Sequence, residues 1–133
     1  MSFLGAVHDR LTTYAGLVAL VSTRVRTGHL RQNETLPAVS LSQIGETRFP
    51  NWGADADVYQ NTVQIDCWAV TAAGAYAVSV QVLAALDRYS GTHDTTLLED
   101  CRMLNRLGPL VELPEDVTKH YRFLLEFEID HRG

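Results

Sequence analysis

Glu126 and Glu128 are the two residues of this sequence best spaced for acid–base chemistry. Carboxylates two positions apart on a strand share a face and lie roughly 7 Å apart. That separation suits glycosidase-type work. A solvated sheet face produces the same spacing, and the alternation around the pair favours that reading. Asp130 and His131 put an acid beside a base, but adjacent strand residues point to opposite faces and cannot easily cooperate. Glu99 and Asp100 face apart for the same reason if their segment is a strand. The remaining histidines, His8, His29, His93 and His120, are scattered. His8 follows Val7 near the apolar face of a helix and reads as a boundary residue. Cys67 and Cys101 are too few for a disulfide framework or a zinc site. Cys67 lies in phase with apolar neighbours, where a buried thiol is poorly reactive. There is no phosphate-binding loop, Rossmann glycine pattern, nucleophile elbow or HExxH. The sequence therefore predicts no catalytic, cofactor-binding or metal-ligating residues.

A binding segment is easier to see. Arg48-Phe49-Pro50-Asn51-Trp52 places two aromatics and an arginine in a stretch that otherwise reads as exposed. These types are enriched where binding energy concentrates. The competing reading has Phe49 and Trp52 tucked against the sheet edge. With Asp55, a residue that reads as solvated like Asp57, the candidate partner-binding set is Arg48, Phe49, Asn51, Trp52 and Asp55.

The elements that position these residues follow from periodicity. Phe3, Val7, Leu11, Tyr14 and Val18 step as one face of a helix over about residues 2–21, with Ser2 as N-cap. Val25 to Leu30 reads as a short strand weakened by Gly28. Pro37 to Ile44 is a strand. Gly45 to Asp57, punctuated by Gly45, Pro50, Asn51 and Gly53, reads as a long loop or hairpin tip. Val58 to Val70 is the clearest strand, with Val63, Ile65, Cys67 and Ala69 on one face. A second helix runs from about Ala72 to Ser90 on Ala75, Val78, Val82, Leu86 and Tyr89, with Gly91 as its stop. Thr95 to Leu104 is a weaker strand, and Gly108 to Val117 a loop. In the last strand Tyr121, Phe123, Leu125, Phe127 and Ile129 face one way. Arg122, Glu126, Glu128 and Asp130 face the other, with Leu124 out of pattern. The predicted fold is α+β: a mostly antiparallel sheet with two helices on one face, in the order α-β-β-β-α-β-β. Its other face meets water or another subunit.

Length and charge bound the function. The chain has 133 residues, the size of a single domain over 1–133. Its net charge of 11 − 16 = −5 disfavours a non-specific nucleic-acid binder and docking on an anionic membrane. Asp9 and Arg10 interrupt any signal-peptide core. Cys67 to Leu86 carries no charge over transmembrane length, but its period changes from strand to helix near Thr71, so no membrane span is expected.

The runs Leu36-Pro37-Ala38-Val39-Ser40-Leu41 and Val63-Gln64-Ile65-Asp66-Cys67-Trp68-Ala69, together with Tyr121-Arg122-Phe123 and Phe127-Glu128-Ile129, resemble the tail completion, or tail terminator, family of long-tailed bacteriophages and gene transfer agents. The resemblance covers nearly the whole chain and rests on fold-bearing residues. Gly74 departs from its pattern, standing early in the second helix where a better helix former is usual. The resemblance implies a structural virion protein of the tail, assembled in the host cytoplasm, with no enzymatic activity and no cofactor. It implies a homo-oligomer, a six-membered ring on the head-proximal end of the tail tube. The ring stops polymerisation of the tail tube protein and offers a surface to the head-completion or connector protein. DNA passes through it without specific binding. Acidic residues suit such a lumen, which makes Glu126, Glu128 and Asp130 lumen-lining candidates. Another connector or stopper protein of the neck is the alternative within the particle. A small soluble enzyme or ligand-binding domain is the alternative outside it, and would need a pocket of convergent polar groups.

Overall fold

In the final strand the two-residue alternation is fully expressed: Phe123, Leu125, Phe127 and Ile129 are buried and the residues between them are not. The computed structural model describes residues 2–31, 34–50, 57–112 and 120–132. Three helices and six strands follow as α1 (Phe3–Thr13), α2 (Ala15–Val21), β1 (Val25–Thr27), β2 (Ala38–Phe49), β3 (Val58–Ala69), α3 (Ala72–Leu86), β4 (Gly91–His93), β5 (Thr96–Glu112) and β6 (His120–Arg132). The strands form one sheet in the order β1-β2-β3-β6-β5-β4. All pairings are antiparallel except β1 with β2. Helix residues Val7, Leu11, Leu17, Val78, Val82 and Leu86 join the inward residues of the strands in one core. The opposite face of the sheet carries none of these helix contacts. Within the described residues no helix is long and apolar enough to cross a membrane.

The expected order and two-helix packing are corrected. The first helix divides at Tyr14, whose backbone is extended (φ −84°, ψ 111°). A Cβ at Gly16 would meet the amide end of the Gln81 side chain of α3 and the Tyr14 ring, so α2 passes close to α3 here. The break also takes Val18 off the helix face it shares in sequence with Phe3, Val7 and Leu11; they are buried and Val18 is exposed. The short strand β4 adds an element, giving α-α-β-β-β-α-β-β-β. Helix α3 stops at Leu86 rather than Ser90, because Asp87 turns to extended backbone and Arg88 takes a positive φ of 62°.

Two expected loops are shorter than the sequence suggested. β2 runs on to Phe49 because a register shift between Gln43 and Gly45 keeps it paired with β3 out to Phe49↔Val58. Such a bulge absorbs an extra residue and bends the strand. β5 likewise continues past Leu104 to Glu112, using three register shifts against β6. Gly108 (φ +148°) sits against the Phe123 ring, where an added Cβ would lie 2.7 Å from it. Pro109 is accommodated in the last of these irregularities, where among the described residues no strand pairs with the other side of β5. Gly74 also has a reason. Its amide donates to Thr71 Oγ1 at 3.0 Å, and a Cβ there would press on that oxygen at 2.9 Å. The N-cap that starts α3 therefore uses the space a side chain would take.

Phe127 is fully buried and Phe49 is half exposed. Phe127→Ala should cost about 3–5 kcal/mol in urea unfolding, and Phe49→Ala under about 0.5 kcal/mol. Equal losses would contradict the placement of these two rings.

Candidate functional site

The helix-free face of the sheet is divided into two bands. The first is acidic. β5 brings Asp100 and Arg102, β6 brings Glu126, Glu128 and Asp130, and β3 brings Gln60. Register places Asp100 directly opposite Asp130, and like charges in that position repel. Arg102 answers this by donating to Asp100, Glu128 and, at 3.4 Å, Asp130. Gln60 Nε2 donates to Glu128 at 3.0 Å. The hydrogen bond to Glu128, opposed by partial burial and helped by the other two acids, raises the already high pKa of Arg102. Four carboxylates share this band with one guanidinium, three of them bonded to it, leaving a net 1 − 4 = −3. The three acids named from sequence thus share one surface, and two of them are held in place by Arg102.

The second band lies toward the other end of the same face. Leu107 opposes Leu124, and Leu110 opposes Arg122. Leu124, out of pattern in sequence, belongs to this apolar band. The Arg122 guanidinium lies 5.3 Å from the Trp68 ring centroid and donates to Asp66 at 3.3 Å. Trp68 Nε1 donates to Ser40 Oγ at 3.2 Å. Asp66, only 6% exposed, is thereby ion-paired beneath the band. A buried carboxylate needs such a partner.

The residues named for partner binding are separate from these acids. Arg48 and Phe49 stand at the end of β2, not in a loop. Arg48 pairs loosely with Asp57 at 3.6 Å, an exposed ion pair of small worth. Phe49 projects into solvent rather than folding back. Asn51, Trp52 and Asp55 lie outside the described residues. Arg48 and His131 are both register neighbours of Tyr59, so the end of the hairpin and the end of β6 are joined through β3.

Beneath that junction is a polar chain that sequence reading missed. Gln43 Nε2 donates to Asn61 Oδ1 at 2.7 Å, and Asn61 Nδ2 donates to the Ile129 carbonyl at 3.2 Å. With its amide fixed in this way, Asn61 Nδ2 donates to His131 Nδ1 at 2.6 Å, so His131 carries its proton on Nε2. Phe3 and Tyr59 stack on the imidazole at 4.6 and 5.2 Å. Burial lowers the His131 pKa, with Glu46 acting weakly the other way. The signal was present in the alternation: Asn61 and His131 each continue an inward-facing row. Asp130 and His131 do face apart, as expected.

A second constellation was invisible in sequence. Asp9 Oδ2 meets His93 Nδ1 at 2.6 Å, and His93 Nε2 meets Tyr89 Oη at 2.7 Å. The Arg10 guanidinium covers the Tyr89 ring at 3.9 Å. An acid–imidazole–hydroxyl relay can activate a nucleophile. Here the hydroxyl is a phenol under a cation, and the chain ties α1 to β4. Both thiols are buried. Desolvation, with Asp66 adding, pushes Cys67 up, and desolvation, with Asp100 adding, pushes Cys101 up to about 12. Among the described residues no group of three or more His, Cys, Asp or Glu could hold a metal ion.

The family model described as tail completion protein gp17 matches residues 5–129. A chain in the virion of a native gene transfer agent particle is similar in fold, with a TM-score of 0.69 at 21% identity, over 99% of this chain and 96% of that one. No curated protein matches the sequence.

His131 generates a pH prediction. Its folded pKa is depressed, so the stability is fully present above the unfolded value near 6.5 and is lost as pH falls through the folded value. The urea midpoint should fall between pH 7.5 and pH 5, and His131→Gln should flatten that slope. An unchanged slope in the variant would contradict the assignment.

Proposed function

Because this chain belongs to the tail completion protein gp17 family, a family of structural proteins of the virion tail, we propose that it forms the ring that closes the head-proximal end of the tail tube. In this reading the ring, six-membered as in the family, stops addition of tail tube protein. It then presents a surface to the head-completion protein and joins tail to head. The chain works as one domain and catalyses no reaction. The observation that carries the reading is the match over residues 5–129.

The surface of the molecule supports it. A ring is built from two different faces of one subunit, each matching the other on its neighbour. Among the described residues the sheet offers two edges that are only partly paired, a half-exposed Phe49 and an apolar band. DNA must pass such a ring without being held. The acidic band of Glu126, Glu128 and Asp130 would repel phosphate if it lined the lumen. Arg102 fits this role because it holds Glu128 and Asp130 in place without cancelling the band's charge.

Particles made without this chain should carry overlong tails that lack heads, as seen by electron microscopy. Tails of normal length that fail to join heads would move the protein to a connector role. Normal, joined and infectious particles would refute both. A second test addresses the lumen. Glu126→Lys combined with Asp130→Lys should reduce DNA delivery while tail length stays normal. Undiminished delivery would remove the band from the lumen.

A further inference from the structure

Both outer strands of the sheet are left half-paired. β1 covers β2 only at Val39–Leu41, so among the described residues Ser42–Phe49 has no partner on its outer side. β4 covers β5 only at Thr96–Leu98, so among the described residues Glu99–Glu112 has none on its outer side. An unpaired edge is a template for another strand unless it is blunted by lysine, proline or bulges. β2 carries one bulge, and β5 carries three register shifts and Pro109, so neither edge is a long flat template and the apolar side chains on them decide what docks.

Large apolar side chains gather on these two edges. Ile44 (60% exposed) and Phe49 lie on β2; Leu104, Leu107, Leu110 and Val111 lie on β5. On the helix-free face Leu107 and Leu110 make a short apolar row on β5, while Val111, opposite Tyr121, faces the other way. On β5 the row is extended by Leu124 beside Leu107 on the helix-free face. On β2 the bulge at Gln43/Gly45 is what turns Ile44 outward.

We infer that the Ser42–Phe49 edge of one copy docks on the Glu99–Glu112 edge of the next, Ile44 and Phe49 seating against Leu104, Leu107 and Leu110. This rests on the ring reading and names its contact. The occupant is a second copy because the chain carries both halves of the match on opposite sides of one sheet. Docking one edge consumes neither the other edge nor its apolar row, so the contact propagates head to tail until rotation closes it. A self-contact of β5 with β5 would leave the β2 edge and its two exposed apolar side chains unused. The register shifts and Pro109 on β5 leave only short regular stretches, so any shared ladder is brief. The apolar side chains then carry the specificity, as in other strand-addition contacts.

The test uses cysteine cross-linking in assembled tails. Cys67 and Cys101 are buried, so introduced thiols dominate the reaction. Tails built with Ile44→Cys plus Leu107→Cys, treated with a short bismaleimide, should give a covalent ladder extending beyond the dimer. Each single variant should give none. Dimers from Leu107→Cys alone would show β5 self-pairing and overturn the proposal, as would cross-links running to the tail tube protein. The copy number per tail, by quantitative mass spectrometry, separates the two readings. Several copies with no ladder would overturn this contact and leave the ring. One copy per tail would remove the ring itself.

Discussion

The two-residue period of β6 is the constraint on which the rest of the molecule depends. It pairs with β3 on one side and β5 on the other along nearly its whole length. Its odd-numbered residues from Phe123 to Ile129 complete the core under the helices. Its even-numbered residues put Glu126, Glu128 and Asp130 on the opposite face. A slip of one residue would exchange these sets. Phe127 and Ile129 would enter water, and three carboxylates would be buried without Arg102. Core stability and the acidic face are therefore two consequences of one register.

The edges follow from the same arrangement. With β3 and β6 central, the long strands β2 and β5 fall to the outside and receive only short partners. A monomer leaves those edges and their apolar residues in water. An assembling protein can use them, which is why the proposed ring and its proposed contact agree with this arrangement. Polar contacts tie the scaffold together. Asn61 and His131 anchor the end of the β2–β3 hairpin, Asp9 and His93 hold α1 to β4, and Asp66 is matched by Arg122.

Much of this was legible in the residues. The alternation of β3 and β6 located both strands and their inward faces, and the helix face Ala75–Val78–Val82–Leu86 is buried as read. Family membership was legible too: the resemblance read from the fold-bearing runs agrees with the family match over residues 5–129. What failed was local punctuation. Gly45 and the Gly108-Pro109 pair read as loops, yet bulges carry both strands through them. The break at Tyr14 was hidden because the helical spacing continues across it. On the candidate surface the three acids were found together, but Arg102 was not. Nothing in the sequence places residue 102 opposite residue 128; only the register does. Phe49, read as part of a loop, is a half-exposed ring at the end of β2.

The most direct measurement is electron cryomicroscopy of the head-proximal end of an assembled tail, at a resolution that distinguishes helices from sheet. The account predicts copies of this chain arranged around the channel, with the helix-free face carrying Glu126, Glu128 and Asp130 turned inward and α1 and α3 outward. Helices lining the channel, or the chain lying elsewhere in the virion, would contradict it.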